Sequence, residues 1–336
     1  MRNSSTIAAA ALLTGAALLA ACSGNGLSGM QSVPGTSTQF QHSHMTAERT
    51  GVAPKYLQML RFGQGVHVRP DGGKLKYLAV SDFGSGAVEI LNKSYGLSST
   101  ITSGLNGPDG DFYDTKGNLY VANYAGVDVT EYNKSNSLVS TYSSGLGDPV
   151  GVTTDKAGHV FVADYGSGSA SVVVEYPQGS NSPSNSCNTG LANEGIAVDK
   201  QGDVFVSGNN PNTGQGNIIE YSGGLSGCSG TTLSVTLAFA GGLQLDKKKD
   251  LVACDQLGPT VDIIKPPYTS VSSTISGFSD PFHVAMDKKY KTLFTADVGL
   301  AEVVVDKYPS GTPITTLGSG NGLSDPAGVA TTPYGP

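Results

Sequence analysis

Apolar residues along this chain recur in short runs of four to six, separated by Gly, Ser, Asn and Asp, and no segment beyond the N-terminal stretch keeps a helical spacing. Val160-Phe-Val-Ala-Asp164, Val204-Phe-Val-Ser207 and Leu119-Tyr-Val-Ala-Asn123 each read as a buried strand closed by a short polar residue. Before each lies a weaker strand, an Asp and a Gly turn: Gly151 through Asp155 and Gly158, Gly195 through Asp199 and Gly202, Gly110 through Asp114 and Gly117. Fainter copies run from Gly242 to Asp255 and from His283 to Asp297, and a divergent first copy from His67 through Asp71 to Asp82. The anchoring Asp residues stand at 71, 114, 155, 199, 246 and 287, so the spacings are 43, 41, 44, 47 and 41. Each unit adds a third strand, such as Val172-Val-Val-Glu-Tyr176 or Ile218-Ile-Glu-Tyr221, and a weaker fourth, such as Leu138-Val-Ser-Thr-Tyr142. Four strands in a period of about 40 to 50 residues mark a propeller blade, whose faces are buried only against its neighbours. The expected fold is therefore all-β, a six-bladed β-propeller of four-stranded antiparallel blades over residues 56–336.

A seventh unit starts but has no body: Asp325-Pro-Ala-Gly328 matches Asp148-Pro-Val-Gly151. Either this C-terminal segment pairs into the first blade, or an N-terminal strand near residues 56–62 joins the last. Both closures remove an exposed sheet edge.

Composition fits this picture. Gly supplies 46 of 336 residues, as a turn residue repeated around a ring would, and only 14% are charged. Length alone suggests two domains, but the repeat replaces that expectation with one closed domain. A net charge of -7 with no basic cluster argues against a nucleic-acid surface.

The N-terminus reads as an address. Arg2 precedes an uncharged Ala/Leu run over residues 7–21, too short to span a bilayer, which ends in Leu19-Ala-Ala-Cys22. That ending resembles a bacterial lipoprotein lipobox and implies cleavage before Cys22 and its acylation, although an ordinary secretory peptide could also end in Cys. The expected organisation is a signal peptide over 1–21, a lipidated flexible tether over 22–55 and the propeller beyond. Ser23 is not Asp, which in Gram-negative lipoproteins accompanies outer-membrane sorting, so the expected location is the cell envelope with the lipid bilayer as one partner. His42 and His44 read as solvated tether residues rather than a metal tract.

Written as Pro-x-Gly-apolar-x-x-Asp-x-x-Gly-x-apolar-aromatic-Val-Ala-Asp, which residues 149–164 fit throughout, the unit resembles NHL-repeat propellers. It is also similar to the senescence-marker/gluconolactonase superfamily and to virginiamycin B lyases. The resemblance implies the six-bladed architecture, but those families include lactonases, lyases and pure binding modules. The Asn-x-Arg usual after the strand-ending Asp in NHL repeats is absent, since Asp164 is followed by Tyr-Gly-Ser-Gly.

Ligands of propellers usually sit at the central channel, where each innermost strand begins. The channel position is Gly in most units but His67 in the first and His283 in the sixth, and one residue earlier Asp109 and Glu194 replace apolar or small residues. Two His and two carboxylates on one axis could hold a divalent metal, Ca or Zn, with a position open for water. The alternative is that both His are polar channel-lining residues. Pro281-Phe-His283 also resembles the zinc-binding pattern of peptide-amidating lyases, whereas the Glu, Asn and Asp of lactonase-type propellers find no register here.

Asp82, Asn123, Asp164, Asp255 and Asp297 close the second strand in nearly every unit. Functional residues break a repeat, so these read as structural acceptors for backbone N–H groups. The Tyr of Glu131-Tyr132, Glu175-Tyr176 and Glu220-Tyr221 is expected between blades. Outside the cytoplasm Cys187 and Cys228, both after a third strand of adjacent units, are expected to form a disulfide, leaving Cys254 as a small apolar residue. The functional expectation is an envelope lipoprotein binding a protein, glycan or small ligand; the alternative is a metal-dependent lactonase or lyase acting through His67, His283, Asp109 and Glu194.

Overall fold

The computed structural model describes residues 78–166 and 171–332. The signal peptide, Cys22, the tether and His67 all lie outside the described residues. Within them the chain forms six four-stranded antiparallel sheets arranged as the blades of a β-propeller.

Blades 2 to 6 follow chain order, beginning with the inner strands Pro108–Tyr113, Pro149–Thr154, Ala192–Val198, Ala240–Leu245 and Pro281–Met286. Blade 1 is composite. Its inner strand is Pro326–Thr331 from the C-terminal end of the chain, paired antiparallel to Leu78–Asp82 with Leu78 opposite Thr331 and Val80 opposite Val329. Of the two possible closures, the C-terminal one is therefore used, and it ties the first blade to the last unit of sequence.

Burial follows strand position. Second strands such as Val160–Asp164 are buried at every residue because a neighbouring blade covers each face, which is why they read as continuous apolar runs. Outermost strands such as Leu97–Ile101 are mostly exposed and bury only the last residue, and they carry the weakest sequence signal. The Tyr residues of the third strands fill the seams: Tyr132, Tyr176 and Tyr221 are buried, and the Tyr132 and Tyr176 hydroxyls donate to the carbonyls of Ser103 and Ser144 at 2.7 Å.

Two sets of Asp hold the repeat in register. In the first hairpin of blade 3 the Asp155 Oδ1 accepts the N–H groups of Gly158 and His159, both at 2.8 Å, and Gly158 has φ of 93°, a conformation glycine adopts without strain. At the other end the strand-closing acids clamp the connector entering their own blade. Asp164 accepts from Gly147 and Asp148 at 2.8 and 2.6 Å, Asp297 from Ser279 and Asp280 at 2.8 and 2.9 Å, and Asp82 from Ser324 and Asp325 at 2.6 and 2.9 Å. Their recurrence is thus structural. In blade 4 the clamp moves to Asn209, whose amide bridges Ala240 of blade 5 in both directions.

Cys187 and Cys228 form a disulfide spanning 41 residues and joining the outer edges of blades 3 and 4. Closing a loop of that length contributes about 2–4 kcal/mol. Cys254 is free and fully buried.

At the axis the inner strands come closest at their glycines. A Cβ on Gly195 would lie 2.7 Å from the Gly242 Cα and 2.9 Å from the Leu243 backbone nitrogen, and one on Gly328 would lie 2.1 Å from the Asp109 carbonyl oxygen. Backbone cannot yield to a side chain here without opening the ring. Gly195→Ala is therefore expected to cost about 1–3 kcal/mol or more in urea denaturation. Gly320→Ala, at an open position with nothing within 4 Å, is expected to change stability by about 0.5 kcal/mol or less. Equal effects from the two substitutions would contradict this packing.

Candidate functional site: the central channel

The inner strands all run in one direction, so every hairpin between the first two strands of a blade, and every hairpin between the last two, emerges on one face. The connectors between blades and the turns between second and third strands emerge on the other. Every described lysine, from Lys93 to Lys307, lies on or at the edge of the hairpin face, as does His159, and no arginine occurs among the described residues. Among the described residues the connector face carries Asp148, Asp280 and Asp325 and no lysine. Positive side chains of the described residues are thus confined to the hairpin face, where they stand among the hairpin Asp residues such as Asp155 and Asp199.

The channel has a waist formed by Gly110, Gly151, Gly195, Gly242 and Gly328, with His283 as the sixth residue. The His283 ring fills the space the glycines leave. A Cβ on Gly242 would meet its Nδ1 at 2.6 Å, and one on Gly110 would meet its Cε1 at 2.9 Å. The imidazole therefore touches blades 2 and 5 from blade 6, and it lies edge-on to Phe282 with ring centroids 5.1 Å apart. His67 was expected at the same position of the first blade; Gly328 on the C-terminal strand occupies it.

Just before the waist glycines, the pairing of each inner strand with its neighbour shifts register. This bulge turns an extra residue toward the axis. In blades 2 and 4 that residue is an acid, Asp109 and Glu194, both buried. His283 Nε2 stands 3.6 Å from Asp109 Oδ1, and Glu194 Oε1 is 3.4 Å from the Asn209 amide nitrogen. Burial holds the Asp109 and Glu194 carboxyls well above the usual carboxylate range, and the neighbouring charges of Asp109 and Asp280 push Glu194 further in that direction. Asp280, one residue before the inner strand of blade 6, is pushed by burial up to about 7, with Asp297 adding to the effect.

Of the residues expected on sequence grounds, the structure brings together His283, Asp109 and Glu194 at the mouth of the channel. They do not make a metal centre: among the described residues no group of three or more His, Cys, Asp or Glu side chains could hold a metal ion. His67, the fourth residue of the expected set, lies outside the described residues.

Sequence reading missed Asp280 and a set of residues one place after the strand-closing Asp or Asn in five of the blades. In blades 1, 2 and 3 these are Phe83, Tyr124 and Tyr165, whose N–H groups donate to the connector carbonyls of Asp325, Gly107 and Asp148. Gln256 and Val298 hold the same position in blades 5 and 6. Burial pushes the Tyr165 hydroxyl upward, and the charges of Glu194 and Tyr124 act in the same direction, so these groups share one space. The signal for this set was an aromatic residue recurring at one repeat position in three successive units.

On the hairpin side of the waist lies a cavity of about 30 Å³ lined by Asp111, Thr153, Gln244 and His283, among others. It has room for about two waters. Gln244 is committed there, accepting the Met286 N–H at 2.9 Å.

No protein-family model matches the chain, and no curated protein matches it either. Solved structures do. A chain from the crystal structure of a nidogen/laminin complex is 16% identical with a TM-score of 0.65, covering 77% of this chain and 99% of that one. A protein of unknown function from Bacteroides caccae is 11% identical with a TM-score of 0.61, covering 78% and 100%. A functionally unknown protein from Desulfotomaculum acetoxidans is 11% identical with a TM-score of 0.56, covering 76% and 98%. These likenesses establish the propeller fold and nothing finer.

Acids held above their ordinary values make the fold sensitive to pH in a definite direction. Asp164 and Asp297 rise to about 6 and Asp280 to about 7, each chiefly through burial, so the folded state binds protons that the unfolded chain has released. Their contribution is fully present below the unfolded value near 3.8 and is lost as pH rises through 6 to 7. The urea midpoint should therefore be higher at pH 5 than at pH 8, with the difference reduced in Asp280→Asn. A midpoint that rises over that range would contradict the placement of these carboxyls.

Proposed function

We propose that this chain is a lipid-anchored binding module of the bacterial cell envelope, probing its surroundings with the connector face of the propeller. Acylated Cys22 holds it to the bilayer; the body is negatively charged and gains nothing from anionic lipid, so the acyl chains carry the attachment. The tether over residues 22–55 lets the disc turn that face toward a protein, glycan or small ligand in the periplasm or at the cell surface.

The observation that carries this reading is the segregation of charge and aromatic side chains. All described lysines lie on the hairpin face, while Tyr124, Tyr165 and Phe83 ring a channel mouth on the opposite face. Aromatic side chains beside buried polar groups at the end of a blocked channel suit recognition of a ligand from outside. One similar solved chain comes from a complex of two proteins, nidogen and laminin, in keeping with such use of the fold.

The test combines location and binding. Full-length protein should fractionate with membranes and Cys22→Ser should move it to the soluble fraction. Ligands found on glycan and peptide arrays should bind wild type and Lys248→Ala alike, and lose about tenfold or more in affinity, about 1.4 kcal/mol, with Tyr124→Ala or Tyr165→Ala. Binding that ignores the mouth and disappears with Lys248→Ala would overturn the assignment of the face.

A further inference from the structure

Three carboxyl groups approach the channel mouth from alternate blades: Asp109 from blade 2, Glu194 from blade 4 and Asp280 from blade 6. Their charges are felt across the axis, since Glu194 responds to both Asp109 and Asp280. Asp280 is only 8% exposed, and its Oδ1 has no hydrogen-bond partner. A buried carboxylate without a partner is costly, and a ligand carrying N–H donors would relieve that cost. No lysine or arginine of the described connector face competes for it.

The lack of a convergent donor set among the described residues selects the kind of cation. A metal ion needs its donors converged within about 2.0–2.6 Å of one point, and the described residues contain no such group. An ammonium or guanidinium group spreads its charge over several N–H donors and reaches carboxylates that stand apart. Apolar and aromatic surface surrounds the acids. Phe282 packs with Val298, Ala327 and Phe83 on one side, and the half-buried Tyr124 and Tyr165 stand on the other, with the Tyr165 hydroxyl in the field of Glu194. Aromatic faces attract weakly hydrated organic cations.

We propose that the channel mouth binds an organic cation, an ammonium or guanidinium group borne by a small amine or by a basic peptide side chain, with its charge between Glu194 and Asp280 and its apolar part against Tyr124, Tyr165 and Phe282. This rests on the binding-module reading and names the ligand class for the same face.

Isothermal titration of the full chain in detergent micelles would use agmatine, tetramethylammonium and the peptide Gly-Arg-Gly as cations, with succinate and N-butylacetamide as anionic and neutral probes. Saturable binding of a cation is expected, weakened about tenfold or more by Glu194→Gln and by Asp280→Asn and left unchanged by Lys248→Ala. Agmatine and Gly-Arg-Gly compared at equal concentration tell a small amine from a peptide side chain. Because both acid variants remove buried charge, they should melt no lower than wild type, and Tyr165→Ala at the rim gives a second, independent loss of binding. Cation binding unaffected by the acid variants would overturn the proposal, as would the absence of saturable cation binding. Tyr165-dependent binding of succinate or N-butylacetamide with the cations silent would overturn the ligand class while leaving the binding-module reading intact.

Discussion

Backbone meets backbone at the axis, where the inner strands approach at Gly195 and Gly242 with no room for a methyl group between them. Six blades can close only if that ring is narrow, and it is narrow only because five of its six positions lack a side chain. The sixth, His283, uses the space the glycines leave, so the same constraint that closes the ring also plugs the channel. A side chain added at the waist would push blades apart along their whole seams, where Tyr132, Tyr176 and the second strands are buried.

Closure at the waist sets the character of both ends. Toward the hairpins it leaves a cavity fit for water, and toward the connectors it leaves a mouth in which Asp109, Glu194 and Asp280 are buried beside aromatic rings. Desolvation then outweighs the backbone N–H bond that would lower Asp109, and the carboxyls are held above their ordinary range. The described lysines stand in hairpins at the far face and do not neutralise them. The confinement of the described lysines to one face therefore follows from which turns of the repeat carry Lys and which carry Asp-Pro.

The repeat was legible because its turn chemistry recurs: an Asp and a left-handed Gly in each first hairpin, and an acid clamping each connector, impose the same spacing on every blade. Closure was half legible, since Asp325-Pro-Ala-Gly328 announced an inner strand but a free sequence pattern does not say which blade receives it; only pairing with Leu78–Asp82 decides. Asp109 and Glu194 stood out by breaking the repeat at the bulge. Asp280 did not, because Asp before Pro is itself part of the unit at Asp148 and Asp325, and sequence cannot tell that burial differs among them: Asp280 is buried at 8% exposure and pushed to about 7. Tyr124 and Tyr165 were hidden for the same reason, their role depending on neighbours from other blades. The disulfide was legible from the shared position of Cys187 and Cys228 after third strands of adjacent units.

Ring closure buries Asp280 at the channel mouth and Asp297 at the strand end that clamps its connector. Carboxyl-carbon NMR titration of aspartate-labelled protein tests this burial most directly, with Asp280→Asn and Asp297→Asn used for assignment. Asp280 is expected to titrate near 7 and Asp297 near 6. Values near 3.8 for both would mean that water reaches these groups freely, and the closed, desolvated mouth would be wrong.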